Sequence, residues 1–289
     1  TDRHETPMLS LRKAYSHSAL QRFHKQVSHA SNEEAVLYLI EPKIDGIAIS
    51  LTYEQGNLVR ALTRGNGLEG DDITANIMTI PSIPKKLTDT TEDGQKTTIP
   101  DRIEIRGEIF SNFSDFEAIN RQRESRGESR FTHPRSLAAG SAKLSDSNQT
   151  AQRKLSVLFF GYGDFLPSSI VPKTQREFYQ LAHSWGLPVL QTVRTAKGID
   201  RLSTAINDEK SNLSEHPYPT DGLVVKVDLI ALQAKLGYTN QAPRWALAYK
   251  FAPKQAETRL LSINIQVGRT GLLTPLAEFA PVSISGSKI

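Results

Sequence analysis

Three short apolar runs, at 36–43, 47–53 and 58–63, follow one another with almost nothing between them. Asp45-Gly46 separates the first two, and Gln55-Gly56-Asn57 separates the second from the third. Links this short leave no room for a crossover helix, so the runs are expected to pair antiparallel as a meander of hairpins. Further strands are expected at 103–110, 157–162, 223–227 and 245–251, and helices at 15–30, 115–125, 174–185, 199–212 and 230–236. The stretch 81–102 carries three prolines and reads as a surface loop. Strands and helices arrive in mixed order without regular βαβ units, which predicts an α+β fold rather than a doubly wound sheet.

The texture changes after Pro253. Residues 263–267 alternate, 268–271 turn, and 272–284 alternate again, as in the opening hairpin of a small β domain. Two or three strands are not stable alone, so a division into 1–256 and 257–289 is expected, with the second part incomplete. The first residue is Thr1 and not Met, which suggests that the chain continues upstream.

A chain of 289 residues with 38% hydrophobic side chains has enough apolar material for a packed core. No run approaches the ~18 apolar residues of a membrane span, and the N-terminus has no signal-peptide pattern, so no membrane partner and a cytoplasmic location are expected. The absence of cysteine excludes disulfides, thiolate metal sites and thiol nucleophiles.

One residue in the first run carries chemical weight. Lys43 ends an apolar stretch and opens Lys43-Ile44-Asp45-Gly46. A free amine is on the order of 0.04% of lysine at pH 7, so a nucleophilic lysine needs burial or neighbouring cations to lower its pKa. In an extended strand, residues two apart share a face, which would align Glu41, Lys43 and Asp45. The competing reading is a hairpin turned by Asp45-Gly46.

Lys226 and Lys250 also interrupt apolar strands, where an ammonium must reach water or find an anion. A bound phosphate would explain all three lysines; edge positions would explain each singly. Between Arg121 and Lys143 six cations meet two anions, which suits either a phosphate footprint or a mixed-charge helix face. Gly65-Asn66-Gly67-Leu68-Glu69-Gly70 fits G-x-G-x-x-G with Asp89 downstream, the outline of a dinucleotide-binding dehydrogenase, but Pro81 and Pro84 break the βαβ unit that it requires. Those glycines are then a ligand-facing loop or a simple turn. Arg106-Gly107-Glu108 places an acid in an apolar strand, with an ion pair to Arg106 as the plain explanation. The seven histidines have no metal-ligand spacing.

Lys43-Ile44-Asp45-Gly46, Arg106-Gly107-Glu108, Phe159-Phe160-Gly161-Tyr162, Asp221-Gly222-Leu223-Val224-Val225-Lys226 and Trp245-Ala246-Leu247-Ala248-Tyr249-Lys250 occur in an order that resembles the nucleotidyltransferase motifs of covalent ligases. Pro7-Met8-Leu9-Ser10-Leu11, Thr63-Arg64-Gly65-Asn66-Gly67, Asp72-Ile73-Thr74, Pro134-Arg135, Ala138-Ala139-Gly140-Ser141 and Pro243-Arg244-Trp245-Ala246 resemble the NAD-dependent bacterial DNA ligases in particular. The resemblance covers about 4–286. It implies an antiparallel-sheet, ATP-grasp-like nucleotidyltransferase domain followed by the first strands of an OB-fold.

It further implies that Lys43 attacks NAD to form a lysyl-AMP with release of nicotinamide mononucleotide, and that the AMP passes to the 5′-phosphate of nicked double-stranded DNA, as replication and repair require. By the same resemblance Glu41 reads the adenine amino group, Tyr162 stacks on the base, Ser10, Leu11 and Ile44 line the nucleotide pocket, and Arg64 and Glu108 hold the ribose. Lys226 and Lys250 bind the α-phosphate, Asp45 organises the site and its Mg²⁺, and Arg135 and Lys143 meet DNA; a monomer is expected. His133 stands where the family usually has Asn, Lys143 where it has Arg, and Gln241 where it has Arg. The modules that flank the adenylation domain in the family, including the one that binds nicotinamide mononucleotide, are not recognisable in the chain. The runner-up readings are an ATP-using polynucleotide ligase or capping-type nucleotidyltransferase, which share the core motifs, and a nucleic-acid-binding module without catalysis, which rests on the basic strip.

Overall fold

The computed structural model describes residues 1–90, 94, 96–251, 256–284 and 287–288. The chain divides into two units, Thr1–Phe251 and Ala252–Ile289. In chain order the first unit contains β1 (Asp2–Arg3), β2 (Arg12–Ala14), α1 (His17–Ser31), β3 (Leu37–Ile44), β4 (Ile47–Glu54), β5 (Asn57–Thr63), β6 (Glu69–Gly70), α2 (Thr74–Ile77), β7 (Arg102–Phe110), α3 (Phe113–Ser125), α4 (Pro134–Ala142), α5 (Ser147–Ala151), β8 (Ser156–Leu166), α6 (Gln175–Ser184), β9 (Arg194–Lys197), α7 (Gly198–Asn212), β10 (Thr220–Val227), α8 (Ile230–Leu236) and β11 (Ala246–Tyr249).

Two sheets carry the unit. One has the order β2-β11-β10-β3-β9, antiparallel except for the parallel β11–β2 pair; the other is the antiparallel sheet β5-β4-β7-β8. This is the expected α+β architecture. Period-2 alternation then assigns the faces. On β3, Tyr38 and Ile40 join Leu223, Val225 and Val227 of β10 in a core with Leu20, Phe23 and Val27 of α1 and with α7 and α8. On β7, Ile103, Ile105 and Ile109 pack with Ile49, Leu51 and Tyr53 of β4, and with Phe116, Leu137, Phe178 and Trp185 from the helices. The polar residues in between, Glu41 and Lys43 on β3 and Glu104, Arg106 and Glu108 on β7, fall on the opposite faces.

The helices begin where local chemistry lets them. The Ser16 side chain accepts from Ala19 N–H at the start of α1, and the Thr174 hydroxyl accepts from Glu177 N–H at the start of α6. The α4 helix was not expected from the sequence; its signals are Pro134 in the first turn and the His133 ring accepting from Arg135 N–H. The stretch 81–102 has no long element up to Arg102, and residues 91–93 and 95 of it lie outside the described residues.

The meander expectation holds for β4 and β5 and fails for β3. Asp45-Gly46 is not a hairpin turn: β3 and β4 lie in different sheets, so the chain crosses from one sheet to the other at this dipeptide. Asp45 N–H donates to Pro219 O at 2.9 Å on one side. On the other, a Cβ on Gly46 would lie 2.0 Å from Ile109 O, so only glycine lets β4 reach its register with β7.

In the second unit β12 (Leu260–Val267) pairs antiparallel with β13 (Leu273–Phe279). Ile263, Ile265 and Val267 share one exposed face with Leu273, Pro275 and Ala277, while Ser262, Asn264 and Gln266 occupy the other. The expected continuous strand over 272–284 stops at Phe279, before Pro281.

Gly46→Ala is expected to force β4 off β7 and lower stability by about 1–3 kcal/mol, the usual cost of overpacking. Gly140→Ala, on α4 with nothing within 4 Å of the added carbon, should be neutral or stabilising by about 0.5–1 kcal/mol. Thermal denaturation followed by circular dichroism compares the two; equal effects would remove the special role of Gly46.

Candidate functional site

A cavity of about 750 Å³ lies between the two sheets. The five-stranded sheet contributes Glu41, Lys43 and Ile44 from β3, Asp221, Val224 and Lys226 from β10, and Ala246 and Ala248 from β11, followed by Lys250. The four-stranded sheet contributes Arg106 and Glu108 from β7 and the 158–163 segment of β8, including Tyr162. Ser10, Leu11, Arg64 and Arg135 close the remaining walls.

The three lysines singled out by sequence all reach this cavity or its floor, but the protein itself supplies their anions. Lys43 Nζ lies 3.1 Å from Asp221 Oδ1, and Lys250 Nζ donates to Asp221 Oδ2 at 2.7 Å. The first contact has the distance of an ion pair without the angle of a directed hydrogen bond, and Oδ1 accepts no other bond. Burial pushes the Asp221 carboxyl up, but the Lys250 hydrogen bond and the Lys43 charge outweigh it and hold the group below the ordinary carboxylate range. Asp221 therefore stays ionised, orients the Lys43 amine, and couples it to Lys250.

Lys226 occupies a second and deeper cluster. Its Nζ lies 2.8 Å from Glu41 Oε2 and donates to Phe160 O at 2.8 Å and to the Tyr179 hydroxyl at 3.1 Å. The Tyr179 hydroxyl donates to Glu41 Oε1 at 2.6 Å, and Gln175 Nε2 donates to Phe160 O at 3.0 Å. Lys226 and Lys250, grouped on one phosphate by the resemblance, pair with different carboxylates here, Lys226 with Glu41 and Lys250 with Asp221. A buried ammonium needs a full set of acceptors, and β3, β8 and α6 provide them.

Glu41, Lys43 and Asp45 do not act as one row. The strand ends at Ile44, and Asp45 turns away from the cavity lining to accept from Arg135 Nη1 at 2.6 Å, with His133 Nε2 3.9 Å from its other oxygen. Glu108 does not pair with Arg106. Instead, Arg106 binds Glu104 at 2.9 and 3.0 Å and donates to Thr6 O at 2.6 Å and Pro7 O at 3.1 Å. This anchor holds the N-terminal segment that presents Ser10 and Leu11. Glu108 is left facing the cavity, and burial pushes its carboxyl up to about 7 against the opposing charges of Lys43, Arg135 and Arg64.

The Gly65–Gly70 loop serves the same N-terminal segment. Gly67 O accepts from Met8 N–H at 2.8 Å, and β6 pairs with β1. The helix after it, α2, has four residues, so the dehydrogenase reading fails for want of a crossover helix. Tyr162 stands on β8 against Phe165 and Phe178 at ring-centroid distances of 5.4 and 5.1 Å. Lys143 lies apart from the main cavity, paired with Asp71 at 2.5 Å beside a separate surface hollow. In the expected basic strip, Arg123 pairs with Glu128, and Arg130 with Glu117 and Glu124, so much of that charge is already met.

Asp221, Tyr179, Gln175 and Glu104 are site residues that sequence reasoning did not single out. Asp221 had a signal, an acid opening an apolar strand. Tyr179 had none, since it meets Glu41 across 138 positions.

Among the described residues no three His, Asp or Glu side chains converge as a metal cage. Asp221 Oδ1, paired with Lys43 but without a directed hydrogen bond, is a cavity-lining carboxylate oxygen of the kind that serves an ion taking its other ligands from phosphate and water, the usual habit of Mg²⁺.

A family model described as the NAD-dependent DNA ligase adenylation domain matches residues 1–254, and one described as the NAD-dependent DNA ligase OB-fold domain matches residues 257–289. "DNA ligase 1" of Opitutus terrae is 47% identical over 287 residues, covering 99% of this chain and 42% of that protein. "DNA ligase" of Methylococcus capsulatus is 42% identical over 287 residues, covering 98% and 41%, and that of Coprothermobacter proteolyticus is 41% identical over 286 residues, covering 99% and 42%. The chain thus spans about two fifths of the length of these relatives. A lysine set against an ionised aspartate at the mouth of an inter-sheet cavity, in a sequence that one domain model matches over residues 1–254, leads to one assignment: this chain belongs to the NAD-dependent DNA ligase adenylation-domain family.

Proposed function

We propose that the chain is the adenylating part of a DNA ligase that takes AMP from NAD. The observation that carries the proposal is the Lys43–Asp221–Lys250 cluster at one end of a cavity whose other end holds Glu41 and Lys226. A nucleotide needs both ends: a polar edge that matches the base, and cations where charge develops on phosphorus.

Glu41 offers an acceptor to the adenine amino group, and Lys226, its three protons taken by Glu41, Phe160 O and Tyr179, balances the charge of that carboxylate. Tyr162 supplies a stacking face, Ser10, Leu11 and Ile44 enclose the base, and Arg64 and Glu108 meet the ribose hydroxyls. Lys43 Nζ, once deprotonated, attacks the α-phosphorus. The N–P bond forms as the P–O bond to nicotinamide mononucleotide breaks, and the departing phosphate keeps the electron pair. Lys250 balances charge on the phosphoryl oxygens. Asp221 would hold Mg²⁺, which when bound would supply charge neutralisation at the same phosphate. An oxygen of the 5′-phosphate at a DNA nick then displaces Lys43 from phosphorus, and the 3′-hydroxyl finally displaces AMP. Arg135 at the cavity edge is suited to DNA phosphate, and Asp45 fixes its guanidinium. We further infer that the protein acts as a cytoplasmic monomer in replication and repair.

Intact-mass spectrometry after incubation with NAD and Mg²⁺ should reveal one adenylate per chain, removed again by nicotinamide mononucleotide. Lys43→Ala should abolish the adduct with unchanged circular dichroism; an adduct that survives this substitution sinks the assignment.

The two partner lysines should separate cleanly. Lys226→Met strands the buried Glu41 carboxylate and is expected to cost about 3–5 kcal/mol of stability. Lys250→Met, at a site where Asp221 keeps Lys43, should cost under about 1 kcal/mol while slowing adenylation by about 10²–10³-fold. Denaturant titration and single-turnover adenylation measure the two effects, and equal stability losses would contradict the division of roles.

Glu108 gives a pH signature. Its folded pKa of about 7 exceeds the ordinary 4.5, so between those values the folded chain holds more protons than the unfolded one. Its contribution to stability therefore declines as pH rises through that window and levels off above it. Relative to Glu108→Gln, the wild-type melting temperature should fall between pH 5 and 7.5; parallel curves would refute the shift.

A further inference from the structure

We propose that Tyr179 is a positioning residue that sets the base selectivity of the nucleotide cavity by fixing the orientation of the Glu41 carboxylate. The inference rests on the adenine-reading role given above to Glu41, and goes beyond it by assigning the discrimination to a side chain that does not line the cavity.

Tyr179 projects from α6 and is 5% exposed. Its hydroxyl lies 2.6 Å from Glu41 Oε1 and 3.1 Å from Lys226 Nζ. With the 2.8 Å contact between Lys226 Nζ and Glu41 Oε2, the three groups close a ring. An ammonium only donates and a carboxylate only accepts. The phenol in between must then accept from Lys226 and donate to Glu41, and no alternative placement of the protons satisfies all three. Phe160 O lies 3.3 Å from the same hydroxyl, but it already receives Lys226 at 2.8 Å and Gln175 at 3.0 Å. Burial and the Glu41 charge hold the phenol well above its ordinary pKa, so its proton is always available to Glu41.

The consequence lies at the cavity face. A carboxylate pinned in one orientation as an acceptor matches the 6-amino group of adenine. It opposes the 6-oxo group of hypoxanthine and guanine. Without the Tyr179 hydroxyl nothing else holds Glu41 Oε1, so the carboxylate could turn off the position of the amino group and lose the contact that favours adenine. Rejecting a base by leaving buried polar groups unpaired discriminates more strongly than shape does.

The test measures binding of AMP and of inosine 5′-monophosphate to the wild-type chain and to Tyr179→Phe by isothermal titration calorimetry. The variant keeps the ring and removes only the hydroxyl. AMP affinity should fall about tenfold, the typical worth of a hydrogen bond to a charged group, while inosine monophosphate affinity changes less than twofold. The selectivity ratio should therefore drop about tenfold. An unchanged ratio, with or without a shift in melting temperature, reduces Tyr179 to a packing residue and overturns the proposal while leaving the cavity's role intact. Failure of the wild-type chain to bind either nucleotide overturns the reading of the cavity and this proposal with it. Should Tyr179→Phe not fold, Tyr179→Met fills the same space without a hydroxyl and reads the same ratio.

Discussion

Two carboxylates neutralise three lysines between the sheets, and the site depends on that pairing. Glu41 and Asp221 stand on neighbouring strands, and each serves a lysine that burial would otherwise make costly. Moving an ammonium out of water costs several kcal/mol unless an anion and further acceptors receive it. Here the Lys226 cluster is complete, with three acceptors, whereas the Lys43 cluster is left incomplete, with one Asp221 oxygen lacking a directed hydrogen bond. The complete cluster suits recognition of a fixed base edge. The incomplete one suits a group that must lose a proton and form a bond.

Strand periodicity places both clusters. On β3 and β10 the apolar partners of the helices alternate with Glu41, Lys43 and Lys226, so one face builds a core while the other builds the cavity. The same rule on β7 sends Glu104, Arg106 and Glu108 to the cavity side. Of these, Arg106 is spent on the carbonyls of Thr6 and Pro7. It thereby converts a segment with little regular structure into a wall, and the Gly65–Gly70 loop grips that segment from its other side. The two sheets approach closely enough to share a cavity because Gly46 carries no Cβ where the chain passes beneath Ile109 O.

Local patterns carried much of this in the sequence. The lysine at a strand end, the two lysines interrupting apolar strands, and the acid of Arg106-Gly107-Glu108 were each visible as residues out of place, and all four reach the cavity. Alternation gave most strands to within a few residues, and the helical pattern gave α1 and α6. The α4 helix escaped because its small residues have little amphipathic contrast. The hairpin reading of Asp45-Gly46 failed because a turn signal records only that the chain bends, and not which strand it bends toward.

By itself, then, the sequence determined the elements, their buried faces and the lysines that needed partners, because those follow from periodicity and from the cost of burying charge. Only the tertiary structure decided which anion each lysine received: Asp221 for Lys43 and Lys250, Glu41 for Lys226, and Tyr179 across 138 positions to hold Glu41 in place. Such pairings depend on which strands become neighbours and on a helix packed behind them, and Coulomb attraction and hydrogen bonding act through space between residues that no local pattern connects.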